Sequence, residues 1–384
     1  MKKILLISDT MQSKNLGCQL VSHSLRSEFE KAFGLGNYSL DVIPIEHDFG
    51  SLEREVIVGE EVEKSDYDIV YVNGEGTVAG KFAHKLYNLI NEVLKVNKNV
   101  YFCNFTYDPR HIFRNKINPE MKKWIEVFQK CKVVTVRDPI SYVLLKEKNV
   151  NNIKLFPDIG TCISDDEQQQ REYVMFGMGS IVKNGDWRTK EIISTIRKIL
   201  LHFSKKYECL LMDWPCARPF SDGRYFKKAL EKDIKNFTVI EGDYKNYHNF
   251  CKKSILNFTG RHHGVVMSYS AECPTVTFQS NMWKTEGDTL FYDCGKYISH
   301  RPTPVRATLW IDKIEEQISN SEKTIQKIKN RKKALKKYHN AHVQILLDEN
   351  KQCVVDKYPH MFDIDSIKYY LNSDEYTAKL LNIT

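Results

Sequence analysis

Apolar residues along the first half of the chain fall into two alternating textures. Short, mostly apolar runs at residues 3–8, 39–45, 68–72, 100–105, 133–136 and 153–156 have the length and flanks of buried strands. Between them Leu20, Val21, Leu25, Phe29 and Phe33 repeat at the spacing of a helix face, and further helices are predicted over 82–96, 119–129 and 139–148. Strands joined through helices pair in parallel by right-handed crossovers. A polar run between Pro157 and Arg171 reads as a linker. The pattern then restarts, with strands at 173–178, 209–213, 237–240, 254–258 and 275–278 and helices at 187–204, 221–233, 246–253 and 263–271. The expectation is an α/β protein of two Rossmann-like, doubly wound domains, residues 1–165 and 166–310, facing a cleft. Ligands of open α/β sheets bind beyond the strand C-terminal ends.

Residues 311–384 are predicted to form a helical C-terminal extension. In its first part Ile311, Ile314, Ile318, Ile325, Ile328 and Leu335 make one apolar stripe, and segment 321–340 carries eight Lys/Arg against Glu322 alone. That excess nearly accounts for the net charge of +8, so the charge is local rather than spread over the chain. Two readings of the basic face stand: a solvated helix surface, or peripheral contact with anionic lipid at the inner membrane face. Nucleic acid is disfavoured, because neither interleaved aromatics nor a helix-turn-helix pattern accompanies the charge. Composition adds exclusions: 42% hydrophobic and 28% charged residues over 384 is ordinary globular usage. No apolar run reaches the ~18 residues of a membrane span, and the run at residues 4–7 is too short for a signal peptide. Ten scattered cysteines with no C-x-x-C pair read as reduced thiols, and the expected location is the cytoplasm.

Candidate chemistry sits where strands are predicted to end. Asn15 and Gly17 lie between the first strand and the first helix, where an anion site and a plain capped turn are both open readings. Asn73, Gly74, Glu75 and Gly76 follow the 68–72 run; the glycines suit a tight turn, whereas the carboxylate adds nothing to it, which marks Glu75 as a candidate base or hydroxyl contact. Arg137 ends another strand beside Asp138 and Pro139, a pair suited to starting a helix, and Asp158 follows the last strand of the first half. The most informative stretch is Gly260, Arg261, His262, His263 and Gly264, between a strand and a helix. A guanidinium offers a planar fork to phosphate or carboxylate, and an imidazole transfers protons near neutral pH, so anion binding with acid–base chemistry is expected there. Satisfied structural histidines are the other reading; metal binding lacks a third ligand at convincing spacing, and no metal is expected. Arg188 and Arg218 are candidate anion contacts by position alone.

Taken in order, these elements resemble a known family. Asn15 with Gly17, the turn from Gly74 to Gly76, Arg137-Asp138 followed by Ser141 and Leu145, Pro157-Asp158, and Gly260-Arg261 with His263 and Pro274 are similar to the polysaccharide pyruvyl transferase family over about residues 4–278. The resemblance implies a GT-B-like pair of Rossmann-like domains, the N-terminal one on the acceptor side and the C-terminal one on the donor side. It implies a transferase of surface-polysaccharide biosynthesis that moves the pyruvyl group of phosphoenolpyruvate onto two hydroxyls of a glycan, carried on lipid in the fullest version, with no cofactor beyond that donor. On this pattern Arg261 holds the donor's phosphate or carboxylate and His263 is the acid or the phosphate-side donor; Glu75 and Asp158 are the candidate bases by their position in the sequence. Asn15, Gly17, Asn73, Gly74, Gly76, Arg137, Asp158, His262 and Gly264 are the expected substrate-binding residues. The chain departs from the pattern at Cys18, where many relatives carry an acid, and at Asn73-Gly74-Glu75-Gly76, where many carry a run of glycines; both lie on the acceptor side. Two alternatives remain: a GT-B-type glycosyltransferase whose nucleotide-sugar phosphates rest on Arg261 and the helix near His263, and a noncatalytic protein that binds an anionic ligand.

Overall fold

The computed structural model describes residues 1–13, 15–47, 54–56, 66–75, 78, 84–111, 116–117, 119–163, 169–177, 187–214, 227, 236–278, 283–298 and 307–373. The chain divides into two compact units: unit 1 comprises Met1–Ser13, Val21–Ile159 and Lys337–Thr384, and unit 2 comprises Lys14–Leu20 and Gly160–Lys336.

Unit 1 alternates strands and helices: β1 (Lys2–Asp9), α1 (Leu16–Phe33, its first residues counted with unit 2), β2 (Tyr38–His47), β3 (Arg54–Val56), β4 (Ile69–Asn73), α2 (His84–Val96), β5 (Val100–Phe105), β6 (Arg110–His111), β7 (Lys116–Ile117), α3 (Pro119–Lys130), β8 (Val133–Val136), α4 (Pro139–Glu147) and β9 (Ile153–Leu155). Its sheet runs β3-β2-β1-β4-β5-β8-β9, parallel throughout except for the antiparallel edge β3. Strand order reverses between β1 and β4, so the ends of these two strands form the topological switch point. One sheet face is sealed by an aromatic cluster in which Phe102 meets Trp124 edge-on at 5.5 Å and Phe105 tilts against Phe128 at 4.9 Å. Asp138 starts α4 by accepting a hydrogen bond from the Ser141 amide at 2.8 Å, with Pro139 supplying the preset first turn.

Unit 2 contains β10 (Tyr173–Gly177), α5 (Trp187–Phe203), β11 (Glu208–Met212), β12 (Phe237–Ile240), α6 (Tyr244–Lys252), β13 (Ser254–Thr259), α7 (His262–Ser270), β14 (Thr275–Phe278), α8 (Lys284–Tyr292), β15 (Gly295–Ile298), α9 (Ala307–Ser319) and α10 (Ser321–Leu335). Six parallel strands lie in the order β12-β11-β10-β13-β14-β15, the 3-2-1-4-5-6 arrangement of dinucleotide-binding sheets. The switch point falls between β10 and β13, so the residues after Thr259 emerge there. Alternating side chains bury both faces: Val174 and Phe176 pack with Ile196 and Leu200 of α5 and Trp310 and Ile314 of α9. Met175, Leu210 and Met212 pack on the other face with Tyr247 of α6, Met267 of α7, and Leu16 and Leu20 of α1.

The structure differs from the sequence reading over residues 311–384, which do not stand apart as an extension. Trp310 and Ile314 are fully buried in the unit 2 core, so α9 and α10 belong there. Beyond them α11 (Ala341–Gln344), α12 (Val354–Lys357) and α13 (Ile364–Ser373) belong to unit 1. Three bonds tie that tail down: His342 Nδ1 to Thr135 Oγ1 at 2.6 Å, Lys154 Nζ to the Glu349 carbonyl at 2.7 Å, and the Leu155 amide to Cys353 Sγ at 3.1 Å. The basic helix is likewise only partly a solvated face. Arg331 Nε donates to the Phe291 carbonyl at 2.9 Å and Lys332 Nζ to the Ser270 carbonyl at 2.8 Å, cations placed on the C-terminal ends of α8 and α7. Among the described residues no helix is long and apolar enough to cross a membrane, and no cysteine is in a disulfide.

Candidate functional site

Among the described residues of unit 2, the first turn of α7 brings together an arginine and two histidines. Arg261 is its N-cap residue, extended at φ −97° and ψ 126°, and its side chain makes no capping bond; its amide donates instead to Thr259 Oγ1 at 3.0 Å. A helix N-terminus at a switch point presents backbone dipoles to an anion. The guanidinium of Arg261 lies 5.6 Å from the Trp214 ring, a cation–π arrangement that helps to fix its direction. Trp214, just past β11, is itself held, donating from Nε1 to Asn15 Oδ1 at 3.2 Å and meeting Tyr247 edge-on at 5.2 Å. Burial pushes the Tyr247 phenol well above its ordinary pKa, so it stays a neutral hydroxyl that accepts from Asn257 Nδ2 at 2.8 Å.

Asn15 and Gly17 take part in this arrangement as packing and capping elements. Asn15 Oδ1 accepts from the amides of Gly17 at 3.0 Å and Cys18 at 3.4 Å, so the oxygen expected at substrate caps α1. Gly17 lies directly against His263: a Cβ there would come within 2.8 Å of Cε1 and nearer still to Nδ1 and Cγ. The glycine is required because the imidazole occupies the space a side chain would need. Gly264 serves the α7 backbone, its carbonyl accepting from Ser268 Oγ at 2.7 Å. His262 and His263 are 7% and 6% exposed, their ring centres 4.4 Å apart. His262 Nδ1 is 2.5 Å from Asp288 Oδ2 on α8, a carboxylate with no exposed surface.

Unit 1 places the turn after β4 at its own switch point. Asn73, the last residue of β4, donates from Nδ2 to the Ser8 carbonyl at 3.2 Å and accepts the Glu75 amide at 3.2 Å. Gly74 passes so close to Phe102 and Phe105 that a Cβ would meet Phe102 Cε1 at 2.8 Å and Phe105 more closely. The turn thereby sets Glu75, 4% exposed, at the strand end. Arg137 and Asp158, expected at substrate, are joined to each other: Nη1 donates to Oδ2 at 2.7 Å and neither has any exposed surface. This ion pair ties β8 to the segment after β9. Thr135, two residues before Arg137, holds His342, whose pKa burial lowers to about 4, with the Asp158 charge opposing and Arg137 assisting. Gly76 and Arg218 lie outside the described residues, as does the side chain of Arg188.

Three residues of these clusters escaped the sequence reading. Trp214 follows a strand without a motif, His342 lies in a tail with no chemical pattern, and Asp288 sits on α8. That helix was not predicted because the buried positions before Phe291 are mostly polar: Thr285, Asp288 and Thr289 are hydrogen-bonded to Phe278, His262 and Thr277.

Comparison with known proteins places the fold and the family. A sequence model described as polysaccharide pyruvyl transferase matches residues 15–281. No curated protein matches the sequence. Among solved structures, S. aureus MnaA with UDP is similar at TM-score 0.60 and 12% identity, covering 91% of this chain and 97% of that one. A putative UDP-N-acetylglucosamine 2-epimerase from Listeria monocytogenes is similar at TM-score 0.55 and 12% identity, covering 85% and 90%. Sucrose-phosphate synthase from Thermosynechococcus elongatus is similar at TM-score 0.56 and 10% identity, covering 91% and 98%. At such identities the likeness is one of fold, the two Rossmann-like domains of the GT-B class. With a family match that spans both switch-point motifs and most of its length, the chain belongs to the polysaccharide pyruvyl transferase family and is a transferase.

Proposed function

We propose that this chain transfers the pyruvyl group of phosphoenolpyruvate onto two hydroxyls of a sugar during surface-polysaccharide assembly, leaving a cyclic ketal and inorganic phosphate. The observation that carries the reading is the seating of Arg261 and His263 together at the start of α7, in a stretch that the family match includes. The donor bears a phosphate and a carboxylate, the two groups a guanidinium fork and a helix N-terminus bind best. His263 delivers a proton to the methylene carbon, which makes the adjacent carbon electrophilic; the acceptor hydroxyls add to it and phosphate departs. In unit 1, Glu75 is the base for an acceptor hydroxyl, presented by the Asn73–Gly74 turn.

The test is phosphate release from phosphoenolpyruvate with a panel of p-nitrophenyl hexosides, with mass spectrometry of the acceptor. Phosphate released together with a ketal-bearing hexoside is the expected result, and His263→Ala is expected to slow it by about 100-fold or more. A second reading, a nucleotide-sugar glycosyltransferase, draws on the UDP bound by the S. aureus protein of similar fold. Release of UDP from a UDP-sugar, with phosphoenolpyruvate inert, would select it. On the pyruvyl reading the glycan is lipid-linked and the exposed Lys323, Lys333, Lys336 and Lys337 meet an anionic membrane surface. Reversing these four to Glu then abolishes sedimentation with anionic liposomes, and unchanged sedimentation removes the membrane contact.

A further inference from the structure

We infer that His262 and Asp288 form a second proton-handling pair, in which Asp288 orients and charges His262 while His262 moves a proton between acceptor and departing phosphate. The inference rests on the pyruvyl-transfer reading for the identity of the substrates, but its geometry is independent of it. His262 Nδ1 stands 2.5 Å from Asp288 Oδ2, the carboxylate fully buried and the imidazole nearly so. An ionised carboxylate only accepts hydrogen bonds, which assigns the hydrogen to Nδ1 and the lone pair to Nε2. The same carboxylate stabilises the imidazolium that forms when Nε2 takes a proton.

The pair is also held rigidly. Asp288 rides on α8, whose last carbonyls receive Arg331, and His262 opens α7, whose last carbonyl receives Lys332. Adjacent residues of α10 thus clamp the two helices that carry the two members of the pair. Thr285 Oγ1 donates to the Phe278 carbonyl at 3.1 Å and Thr289 Oγ1 bonds Thr277 Oγ1 at 2.9 Å, fixing α8 on both sides of Asp288. Packing alone gains nothing from a buried carboxylate, which is costly to desolvate unless its charge is used or paired. His263, by contrast, has its ring seated on Gly17. The adjacent imidazoles are therefore not equivalent, and two proton transfers need two groups.

His263 gives its proton to the methylene carbon, leaving the central carbon electrophilic. The first acceptor oxygen bonds to that carbon as its proton passes to His262 Nε2. The carbon–oxygen bond to phosphate breaks with its electron pair going to phosphate, which takes the proton from His262. The second hydroxyl then closes the ketal; its proton leaves to an acceptor-side base, and His263 regains one from solvent.

The test compares Asp288→Asn, His262→Gln and the double variant, all in the full chain. Turnover is followed with phosphoenolpyruvate and the hexoside panel, or with UDP-N-acetylglucosamine if that proves to be the donor. Each single variant is expected to lose about 100-fold or more in kcat with donor KM little changed, and the double variant to be no slower than the worse single one. A purely structural pair would instead lower the thermal midpoint and move KM and kcat together. Nitrogen-15 NMR of the wild type, assigned through His262→Gln, is expected to show His262 protonated at Nδ1, with a downfield Nδ1 proton that Asp288→Asn removes. The opposite tautomer, wild-type kcat in Asp288→Asn, or multiplicative losses in the double variant would each overturn the inference. Turnover of UDP-N-acetylglucosamine alone would overturn the pyruvyl reading, while the kcat and tautomer results would still judge the pair.

Discussion

Gly17→Ala places one methyl group against the proposed acid and leaves the rest of the chain alone. The new Cβ would come within 2.8 Å of His263 Cε1, and nearer to Nδ1 and Cγ, where ordinary contact begins at 3.4 Å. The imidazole must retreat by roughly 1 Å, and a misplacement of that size costs on the order of 100-fold in rate. Folding is affected less. Position 17 is the second residue of α1 and its backbone is not left-handed, so alanine gains about 1 kcal/mol of helix propensity over glycine, offsetting part of the strain. The assay pairs phosphate release with a thermal scan. Gly17→Ala is expected to lose about 100-fold in turnover while its midpoint stays within a few degrees of wild type. Combined with His263→Ala the substitution is expected to add no further loss, since the group it displaces is gone. A wild-type rate in Gly17→Ala, or a full multiplicative loss in the pair, would refute the claim that this glycine exists to seat a working His263.

Other substitutions separate structure from chemistry. Asp158→Asn leaves the Arg137 guanidinium buried without its counter-charge and is expected to cost about 3 kcal/mol or more of unit 1 stability by chemical denaturation; a stable but inactive variant would restore Asp158 as the base. His342 has its pKa lowered from 6.5 to about 4, so the unfolded chain binds its proton first as pH falls. Stability is present in full above pH 6.5 and is lost toward pH 4, by roughly 3 kcal/mol from this group; His342→Gln should flatten that limb of the melting profile, and an unchanged profile refutes the assignment. Trp214→Leu removes the ring beneath Arg261 and is expected to weaken donor binding by about two- to thirtyfold, or 0.5–2 kcal/mol, whereas Trp214→Phe retains most of it; equal effects in calorimetry would exclude the cation–π role.

Much of the architecture was legible because its elements bury apolar side chains at regular spacing. Val133–Val136 and Val100–Phe105 are largely apolar strands, broken only by Thr135 and Asn104, and Pro119–Lys130 and Pro139–Glu147 open on prolines that mark first turns. What was hidden is buried polar structure. Helix α8 carries Thr285, Asp288 and Thr289 inward, so no hydrophobic period announces it, and Gly295–Ile298 after it is too short and mixed to stand out as a strand. The Gly-Arg-His-His-Gly stretch was visible as chemistry, but which histidine meets a carboxylate depends on residue 288, far along the chain. Arg137 and Asp158 were each visible as strand-end charges; only the fold shows that they face each other. The segment after residue 311 misled through composition, because a basic helix looks the same whether its cations meet water or the carbonyl ends of α7 and α8.

Binding of phosphoenolpyruvate at the start of α7 through Arg261 is tested, without knowing the acceptor, by thermal stabilisation of the purified protein. At 100 times its Kd a ligand stabilises the folded state by about 2.7 kcal/mol, a readily measured rise in melting temperature. A rise with phosphoenolpyruvate that Arg261→Ala abolishes is expected. A rise with UDP-sugars alone, or one with phosphoenolpyruvate that survives Arg261→Ala, would contradict it.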